Sequence, residues 1–359
     1  MKKLIKPLGM TLMMLILASC SASYRMVTRI HEDGKIEREV YACGDSAFLA
    51  GDRSSNPYLF RLEGDWKIEN LDPGIKVNFF GEEETLNVKV GRSIQAAGQM
   101  SFFSPEEDWM RPLAVPQERL EKHFRWFYTY YTYTCDFQEL PYKGPIPLDK
   151  YLTKCEQAFL FQGDMTEYRG MNGAELYLEL EEIEQKFQEW FYHTQFELSY
   201  QVVECFLQKE GNTDYHAKMK EQKEEVFKGD GNRRKGEECS PEYICRLLDG
   251  RYETTVFTDL YKRNEEQMKH SYDEKCKIME LFGCQIKFEL EMPGKLISVN
   301  TTLSEENRWV WKVDAYRLLS GNYTLQAESR TMNVWAFCVT GLLILLGGYG
   351  MFRRKRANK

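Results

Sequence analysis

Cysteine is the residue type in this sequence with the widest range of chemistry, and the chain contains ten cysteines. Eight lie between the two apolar ends, an even number that permits up to four disulfides in an exported domain. The last four fall in one region of helical pattern, and we expect disulfide pairs among Cys239, Cys245, Cys276 and Cys284. Buried thiols are the alternative. No Cys-x-x-Cys or His-spaced pair supports a metal site, so none is predicted.

Motifs for catalysis are missing from the local sequence. None of the five histidines lies in a His-x-x-x-His or His-Glu-x-x-His arrangement. There is no Gly-x-Ser-x-Gly, Ser-x-x-Lys, P-loop or Gly-x-Gly-x-x-Gly motif either. We therefore predict no catalytic residue and no cofactor, and we expect a noncatalytic protein. A catalytic site assembled from distant residues is the alternative that a local scan leaves open.

Aromatic residues are concentrated in residues 124–137, which read FRWFYTYYTYTCDF. Aromatic and β-branched residues favour strands, so this segment is predicted to be one long strand packed on both faces. The alternatives are a strand that stacks against a ligand and an aromatic belt at a membrane interface. The candidate ligand-contacting side chains are Trp126, Tyr128, Tyr130, Tyr131 and Tyr133.

The C-terminus predicts a membrane anchor. Residues 334–352 are nineteen consecutive uncharged residues, and as a helix they rise roughly 28 Å, close to a hydrocarbon core of about 30 Å. We therefore predict a transmembrane helix over 333–352, with a buried helix of a soluble protein as the alternative. The basic tail 353–359 should stay in the cytoplasm by the positive-inside rule.

The N-terminus predicts export. Residues 1–19 have three lysines followed by an apolar run too short to span a bilayer, which is typical of a secretory signal peptide. Leu17-Ala18-Ser19-Cys20 resembles the lipobox of bacterial lipoproteins. That resemblance implies that Cys20 is acylated, with palmitate or a similar chain, and becomes the mature N-terminus. An ordinary signal peptide cleaved nearby is the alternative.

Together the two ends predict a location. One acyl chain anchors a protein only marginally, and the C-terminal helix would supply the second anchor. Both anchors in one membrane indicate the inner membrane of a bacterium, with residues 20–332 outside the cytoplasm. Without three basic residues of the signal and five of the tail, 40 Lys and Arg face 55 Asp and Glu, a net charge of −15. This acidity excludes nucleic acid as an expected partner and should repel anionic headgroups.

The exported region begins and ends with strand patterns. Residues 20–140 are predicted as a β-rich part, which starts with a hairpin around Asp33-Gly34 and continues as a meander to about residue 105. Pro116 predicts a short helix start over 116–119. Residues 284–332 are predicted as a second β-meander of four strands that completes the sheet.

Helical spacing dominates residues 141–283, which we interpret as a helical insertion. Apolar residues recur at helical intervals over 148–159 and 176–190, and further helices are predicted over 240–250 and 254–282. The polar run 218–238 is predicted as an exposed loop. The fold class is therefore α+β, with one antiparallel sheet built from both ends and helices between.

The layout of the two ends resembles LppM-type bacterial envelope lipoproteins. The resemblance rests on the lipobox, the Asp33-Gly34 hairpin, the Trp309-x-Trp311-x-Val313 strand, and Gly321-Asn322-Tyr323-x-Leu325 before the membrane helix. It covers about the first forty and last seventy-five residues, and the helical middle has no counterpart. It implies a noncatalytic, β-rich domain close to the membrane that contacts lipids.

The sequence thus predicts a noncatalytic, membrane-anchored envelope lipoprotein that binds a protein or lipid partner at the outer face of the inner membrane. An enzyme that acts on the envelope and a structural subunit of a membrane complex are the alternatives.

Overall fold

The computed structural model describes residues 22–95, 98–142, 144–231 and 239–357. They form two compact units. The sheet unit contains Ala22–Gln138, Gln285–Val313 and Asn322–Lys359, and the helical unit contains Glu139–Cys284 and Asp314–Gly321. The α+β class, with helices between strands in the sequence, is confirmed. The signal segment 1–19 and Cys20 lie outside the described residues.

Strands from both ends of the chain meet in two sheets rather than in the single sheet expected. The strands are β1 (Ala22–Ile30), β2 (Lys35–Ala42), β3 (Lys67–Phe79), β4 (Glu82–Gln95), β5 (Gly98–Met100), β6 (Gln117–Phe124), β7 (Tyr128–Phe137), β8 (Cys284–Glu291), β9 (Lys295–Val299), β10 (Ser304–Glu305), β11 (Arg308–Asp314) and β12 (Tyr323–Met332). Seven form a sheet in the order β10-β11-β8-β1-β2-β4-β3, and five form a sheet in the order β5-β6-β7-β12-β9.

The first hairpin follows the sequence pattern closely. Gly34 adopts a φ of +90°, a left-handed conformation that glycine reaches without steric cost. The side chain of Asp33 accepts a hydrogen bond of 2.9 Å from the backbone N–H of Lys35. Buried and half-buried residues then alternate along β2, so one of its faces lies in the core.

The interior of the sheet unit lies between the two sheets. The ring of Tyr133 on β7 lies 6.5 Å from that of Phe288 on β8. Arg38 of β2 reaches Glu118 of β6 in the same interior. Ile36 and Leu86 are among the completely buried aliphatic residues of the seven-stranded sheet.

Strand β12 links this sandwich to the C-terminal helix. It pairs with β7 in unbroken antiparallel register, from Tyr323 opposite Phe137 to Met332 opposite Tyr128. On its other side β12 pairs with β9. One residue, Asn333, separates its last residue from the first residue of the helix. The helix is therefore a direct continuation of a strand that is paired on both sides.

The helices are α1 (Ser46–Leu49), α2 (Arg111–Ala114), α3 (Lys154–Gln157), α4 (Gly173–Lys209), α5 (Thr213–Gly229), α6 (Pro241–Tyr252), α7 (Val256–Cys276) and α8 (Val334–Ala357). Helix α4 dominates the helical unit and begins with a capping box between Asn172 and Glu175. The hydroxyl of Tyr200 on α4 donates to the carbonyl of Met219 on α5 over 2.8 Å. The hydroxyl of Ser199 donates to the backbone carbonyl of Cys239, just before α6. These buried contacts fix α5 and α6 against α4.

Three local predictions were wrong. Residues 116–119 enter strand β6 instead of a helix, because pairing with β5 and β7 outweighs the proline signal. The predicted strand 124–137 is split, since Phe124 ends β6 and Tyr128 begins β7. Much of the predicted loop 218–238 is helix α5, whose buried Met219, Val226 and Phe227 follow helical spacing; residues 232–238 lie outside the described part.

The long helix predicted over 254–282 is shorter than expected. Helix α7 ends at Cys276, and Lys277–Gly283 continues as a 3₁₀ helix that leads into β8. The four C-terminal strands are confirmed as β8, β9, β11 and β12. They do not form the predicted meander, because β8 and β11 belong to the seven-stranded sheet and β9 and β12 to the five-stranded sheet.

Candidate functional site

Among the helices of the described residues, α8 is the one that is long and apolar enough to cross a membrane. The qualifying stretch is Val334–Met351, of which 6% is buried within the protein. Almost all of its apolar surface therefore faces outward. This amount of exposed apolar surface marks an interaction site in a folded protein.

The hairpin between β6 and β7 places aromatic side chains beside the start of this helix. Arg125 and Tyr128 close its turn through two backbone hydrogen bonds of 2.8 and 3.1 Å. Phe124 is 59% exposed, and Trp126 and Phe127 are also exposed. We call the tip of this hairpin, residues 124–128, the aromatic hairpin.

Ring contacts join the aromatic hairpin to the first turn of α8. The ring of Phe124 stacks on Trp335 at 6.2 Å, and Trp126 meets Trp335 edge to face at 5.3 Å. Phe337 lies 4.6 Å from Phe127 and 6.1 Å from Tyr128. Such pairs contribute about 0.5–1.5 kcal/mol each beyond the area they bury.

Hydrogen bonds satisfy the polar groups at this junction. The indole N–H of Trp126 donates to the Thr340 hydroxyl over 2.8 Å. The Asn333 side chain donates to the carbonyl of Arg125 over 2.7 Å and accepts from the Thr129 hydroxyl over 2.9 Å. The Asn333 N–H donates to the carbonyl of Phe127. Because unpaired polar groups are costly in lipid, this pairing suits a site of low polarity.

The contacts also define how far the hairpin extends along the helix. Thr340 lies six positions after Val334, so Trp126 reaches about 9 Å along the helix axis. Tryptophan and tyrosine are enriched at membrane interfaces. The junction therefore has the aromatic composition that is typical of a membrane interface.

The five candidate aromatic side chains divide into two groups. Tyr131 and Tyr133 point into the core, where the Tyr131 hydroxyl donates to the carbonyl of Glu32 over 2.8 Å and the Tyr133 hydroxyl donates to Glu118. Trp126, Tyr128 and Tyr130 lie on the outer side, exposed or half-buried. The structure therefore brings only these three together on the surface. Their contact with a ligand stays a prediction.

Sequence reasoning missed the partners of the aromatic hairpin, namely Asn333, Trp335, Phe337 and Thr340. A signal was present, because Trp335 and Phe337 stand in the first turn of the predicted membrane helix, where aromatic residues mark an interface. Arg125 also interrupts the aromatic run and marks its turn.

The buried polar groups of the sheet unit are structural. Both side chains of the Arg38–Glu118 pair are fully buried and joined by two hydrogen bonds of 2.6 and 2.7 Å. Burial alone would lower the pKa of Arg38, but the charge of Glu118 raises it above its ordinary value. Burial raises the pKa of Tyr133 and of the Cys135 thiol, so both remain neutral.

A second polar cluster lies in the helical unit. The carboxylate of Asp230, after α5, accepts a hydrogen bond of 2.5 Å from the Tyr243 hydroxyl and another from the Tyr192 hydroxyl. Burial, reinforced by this carboxylate, raises the pKa of both tyrosines. Neutral tyrosines that donate to one carboxylate clamp α4, α5 and α6 together.

The four cysteines of the predicted pairs all belong to the helical unit. Cys239, Cys245 and Cys284 are buried and Cys276 is half-buried. Burial raises the pKa of Cys245 to about 12, so its thiol is a poor nucleophile near neutral pH. The disulfide pairing stays a prediction. Across the described residues, no group of three or more His, Cys, Asp or Glu is arranged to hold a metal ion.

Comparisons with known proteins add a weak structural resemblance. No protein-family model matches the sequence, and no curated protein matches it. Among solved structures, the chain is similar to the NMR structure of the folded domain of Mycobacterium tuberculosis LppM, with 8% identity and a TM-score of 0.24. The alignment covers 87% of this chain and 91% of the LppM domain. A TM-score this low carries no argument about function.

Proposed function

We propose that this chain is a noncatalytic, membrane-anchored protein of the bacterial envelope, with its sheet unit held against the outer face of the inner membrane. The observation that carries the proposal is the packing of the aromatic hairpin on the first two turns of α8. A flexible tether would keep the sheet unit away from the lipid surface. Ring contacts and the hydrogen bonds of Asn333 instead fix the unit at the point where the apolar helix begins.

Exposure of the junction supports the same conclusion. Trp335 is 52% exposed although its ring contacts two other aromatic rings. A cluster of exposed aromatic side chains beside an exposed apolar helix needs a cover of low polarity, and an interfacial lipid layer supplies one. The basic tail after Phe352 favours a cytoplasmic C-terminus, so the sheet unit would lie on the opposite side.

The noncatalytic part of the proposal is supported by the state of the buried reactive groups. The thiols of Cys135 and Cys245 have raised pKa values, as do the buried tyrosine hydroxyls of both polar clusters. A thiol with a raised pKa is a weak nucleophile near neutral pH, and the side chains of Tyr133 and Tyr192 are buried. These groups are therefore suited to holding the fold together.

Fluorescence quenching by brominated lipids tests the position of the aromatic hairpin. The full chain is reconstituted in phosphatidylcholine vesicles whose acyl chains carry bromine near the headgroup. We expect the double substitution W126F/W335F to remove most of the quenched tryptophan emission. Trp309→Phe, on β11, is the matched control and should leave the amount of quenched emission unchanged. Equal quenching of the two variants would contradict the proposal.

A second candidate function, docking of a basic protein, is favoured by the start of α4. Leu178 is 65% exposed and Tyr177 is similarly exposed on the outward face of the helix. Glu175, Glu181 and Glu182 surround them. Burial raises the pKa of the nearby Glu184, and the charge of Glu181 raises it further. Crowded like charges beside an exposed apolar pair favour a partner with an apolar side chain flanked by Lys or Arg.

Photo-crosslinking in native membranes tests this docking surface. A photoreactive amino acid at Tyr177 should link one partner, and the linked peptide should carry a net positive charge. The combined change Leu178→Ser and Glu181→Lys should abolish the product. Glu221→Lys on α5, the matched control, should leave it intact. A neutral or acidic linked peptide would count against this function.

A further inference from the structure

Three cationic side chains gather on the outer face of the five-stranded sheet, at the end where β12 meets α8. Arg330 of β12 lies directly opposite Lys295 of β9 and opposite Tyr130 of β7. The guanidinium of Arg125, in the turn of the aromatic hairpin, lies 5.3 Å from the Tyr130 ring. Directly paired residues have Cβ atoms about 5 Å apart. Arg125, Lys295 and Arg330 are therefore one group, the cationic patch.

No carboxylate of the described chain forms an ion pair with any of the three. Several cations on the seven-stranded sheet are paired: Arg25 and Arg308 form ion pairs with Glu289, and Lys89 forms one with Glu69. Glu121, near the cationic patch, is already engaged by Arg119 and His123. Like charges directly opposite in a sheet are destabilising. Fold stability therefore does not explain why Lys295 faces Arg330.

Two tyrosines add neutral donors to the cationic patch. The Arg330 guanidinium lies 4.6 Å from the Tyr128 ring, as that of Arg125 lies over Tyr130. Within the described residues, neither tyrosine hydroxyl makes a hydrogen bond. The rings hold the guanidinium groups in place by cation–π contact, and the hydroxyls remain free to donate. Arginine and tyrosine donors arranged around one point suit the oxygens of a phosphate.

The contacts with α8 place the cationic patch beside the start of the apolar helix. Arg125 belongs to the same turn as Trp126, and its carbonyl accepts from Asn333, the residue before the helix. If the aromatic rings lie in the membrane interface, the cationic patch lies at the level of the headgroups. The exported region as a whole has a net charge of −15 and would be repelled by anionic lipid. A local patch of three cations at the contact point reverses that repulsion where the protein touches the membrane.

We propose that Arg125, Lys295 and Arg330, with Tyr128 and Tyr130, bind the phosphate-bearing headgroup of an anionic phospholipid in the leaflet that the sheet unit contacts. This inference rests on the proposed function, since it requires the aromatic hairpin at the interface. It names the lipid class that the junction selects.

Electron paramagnetic resonance of spin-labelled lipid tests the proposal. The full chain is reconstituted in phosphatidylcholine vesicles that contain a trace of spin-labelled phosphatidylglycerol or, in a parallel sample, spin-labelled phosphatidylcholine. The protein-immobilised fraction gives the preference between the two lipids. We expect a preference for phosphatidylglycerol that falls about fivefold for each cation removed, from K295Q to K295Q/R330Q. Arg330→Lys should retain most of it, and R61Q/K67Q, with the same loss of charge elsewhere, should leave it intact.

Three outcomes would overturn the proposal. They are equal preference in the wild type, equal loss in R61Q/K67Q, and displacement of the labelled lipid by millimolar inorganic phosphate, which would assign the site to free phosphate. Brominated-lipid quenching of Trp126 is measured on the same samples. Retained quenching without lipid preference refutes the headgroup site alone, and loss of quenching refutes the proposed function as well. Far-ultraviolet circular dichroism of each variant confirms that it is folded.

Discussion

The buried pair Arg38–Glu118 combines two charges that water does not reach. Changing Glu118 to Gln leaves the guanidinium in the core without a compensating charge, although the Phe102 ring lies 4.4 Å away. We expect E118Q to lower the free energy of unfolding by roughly 3–5 kcal/mol. Urea unfolding in detergent micelles measures this change. Glu83→Gln breaks the exposed pair with Lys76 and is the control, expected to have little effect.

Glu289 makes stability depend on pH. Its carboxylate accepts hydrogen bonds from Arg25 over 2.6 Å and from Arg308 over 3.1 Å. Burial raises the pKa of Glu289, but Arg25 and Arg308 together hold it below its ordinary value. The stability it contributes is fully present above the unfolded pKa of about 4.3 and is lost as the pH falls through the lower, folded pKa.

The expected outcome for Glu289→Gln follows from the lowered pKa of the Glu289 carboxyl. At pH 7 the substitution should cost about 1–3 kcal/mol, because two half-buried guanidinium groups lose their charged acceptor. The difference from the wild type should shrink as the pH falls below about 4, where the wild-type carboxyl also becomes protonated. Urea unfolding at several pH values provides the measurement. A difference that stays constant down to the lowest pH would show that this ionisation is not linked to folding.

The sequence predicted a strand packed on both faces but not which of its side chains enter the core. In residues 128–137 tyrosines occupy both parities, and threonines separate them without a clear polar face. The Tyr133 side chain points inward because its hydroxyl hydrogen-bonds with Arg38 and Glu118 in the core. Both residues lie on other strands. Contacts between distant residues leave no periodic signal in the sequence. The division of the aromatic residues between core and junction could therefore be seen only in the structure.

At the scale of elements, Asp249 connects two helices of the helical unit. It lies in α6, but its two carboxylate oxygens accept from the backbone N–H groups of Phe257 and Thr258, in the first turn of α7. We expect Asp249→Ala to destabilise the protein by about 1–2 kcal/mol, as loss of a helix cap does. Asp249→Asn should recover part of this loss. Thermal unfolding followed by circular dichroism gives the values.

A neighbouring carboxylate supplies the control for this prediction. Asp259 also lies in the first turn of α7, but it is exposed and its carboxylate accepts a hydrogen bond of 3.2 Å from the Thr255 hydroxyl. Asp259→Ala should therefore cost only a fraction of what Asp249→Ala costs. Equal costs for the two substitutions would mean that the charge near the helix end, rather than the paired backbone contacts, stabilises α7.

Elements with a strong local pattern were predictable, and elements created by pairing were not. The Asp33-Gly34 hairpin, the four C-terminal strands and the apolar helix follow from periodicity and turn residues alone. Strand β6 was mistaken for a helix start because Pro116 suits a first helical turn. Its strand state depends on β5 and β7 on either side. The turn of the aromatic hairpin contains no Gly, Pro or Asn, so Arg125, which interrupts the aromatic run, is its one mark in the sequence.

At the scale of the whole molecule, the proposed double anchoring predicts separable contributions. Cys20→Ser should abolish labelling by radioactive palmitate, while the protein stays in the membrane fraction through α8. Removal of residues 333–359 from the same variant should release the chain. Membrane fractionation and immunoblotting measure both outcomes. Release of Cys20→Ser alone would refute the anchoring role of α8.

The passage from β12 into α8 has a mechanical consequence. Asn333 alone connects the paired strand to the helix, and its side chain holds the neighbouring hairpin to both. These contacts couple the orientation of the sheet unit to that of the helix. A transmembrane helix that is longer than the local hydrocarbon thickness can tilt to fit it, and such helices are tilted on average by about 20° from the bilayer normal. Such a tilt swings a point about 30 Å from the junction through about 10 Å. The thickness of the surrounding bilayer would then set the direction in which the sheet unit faces.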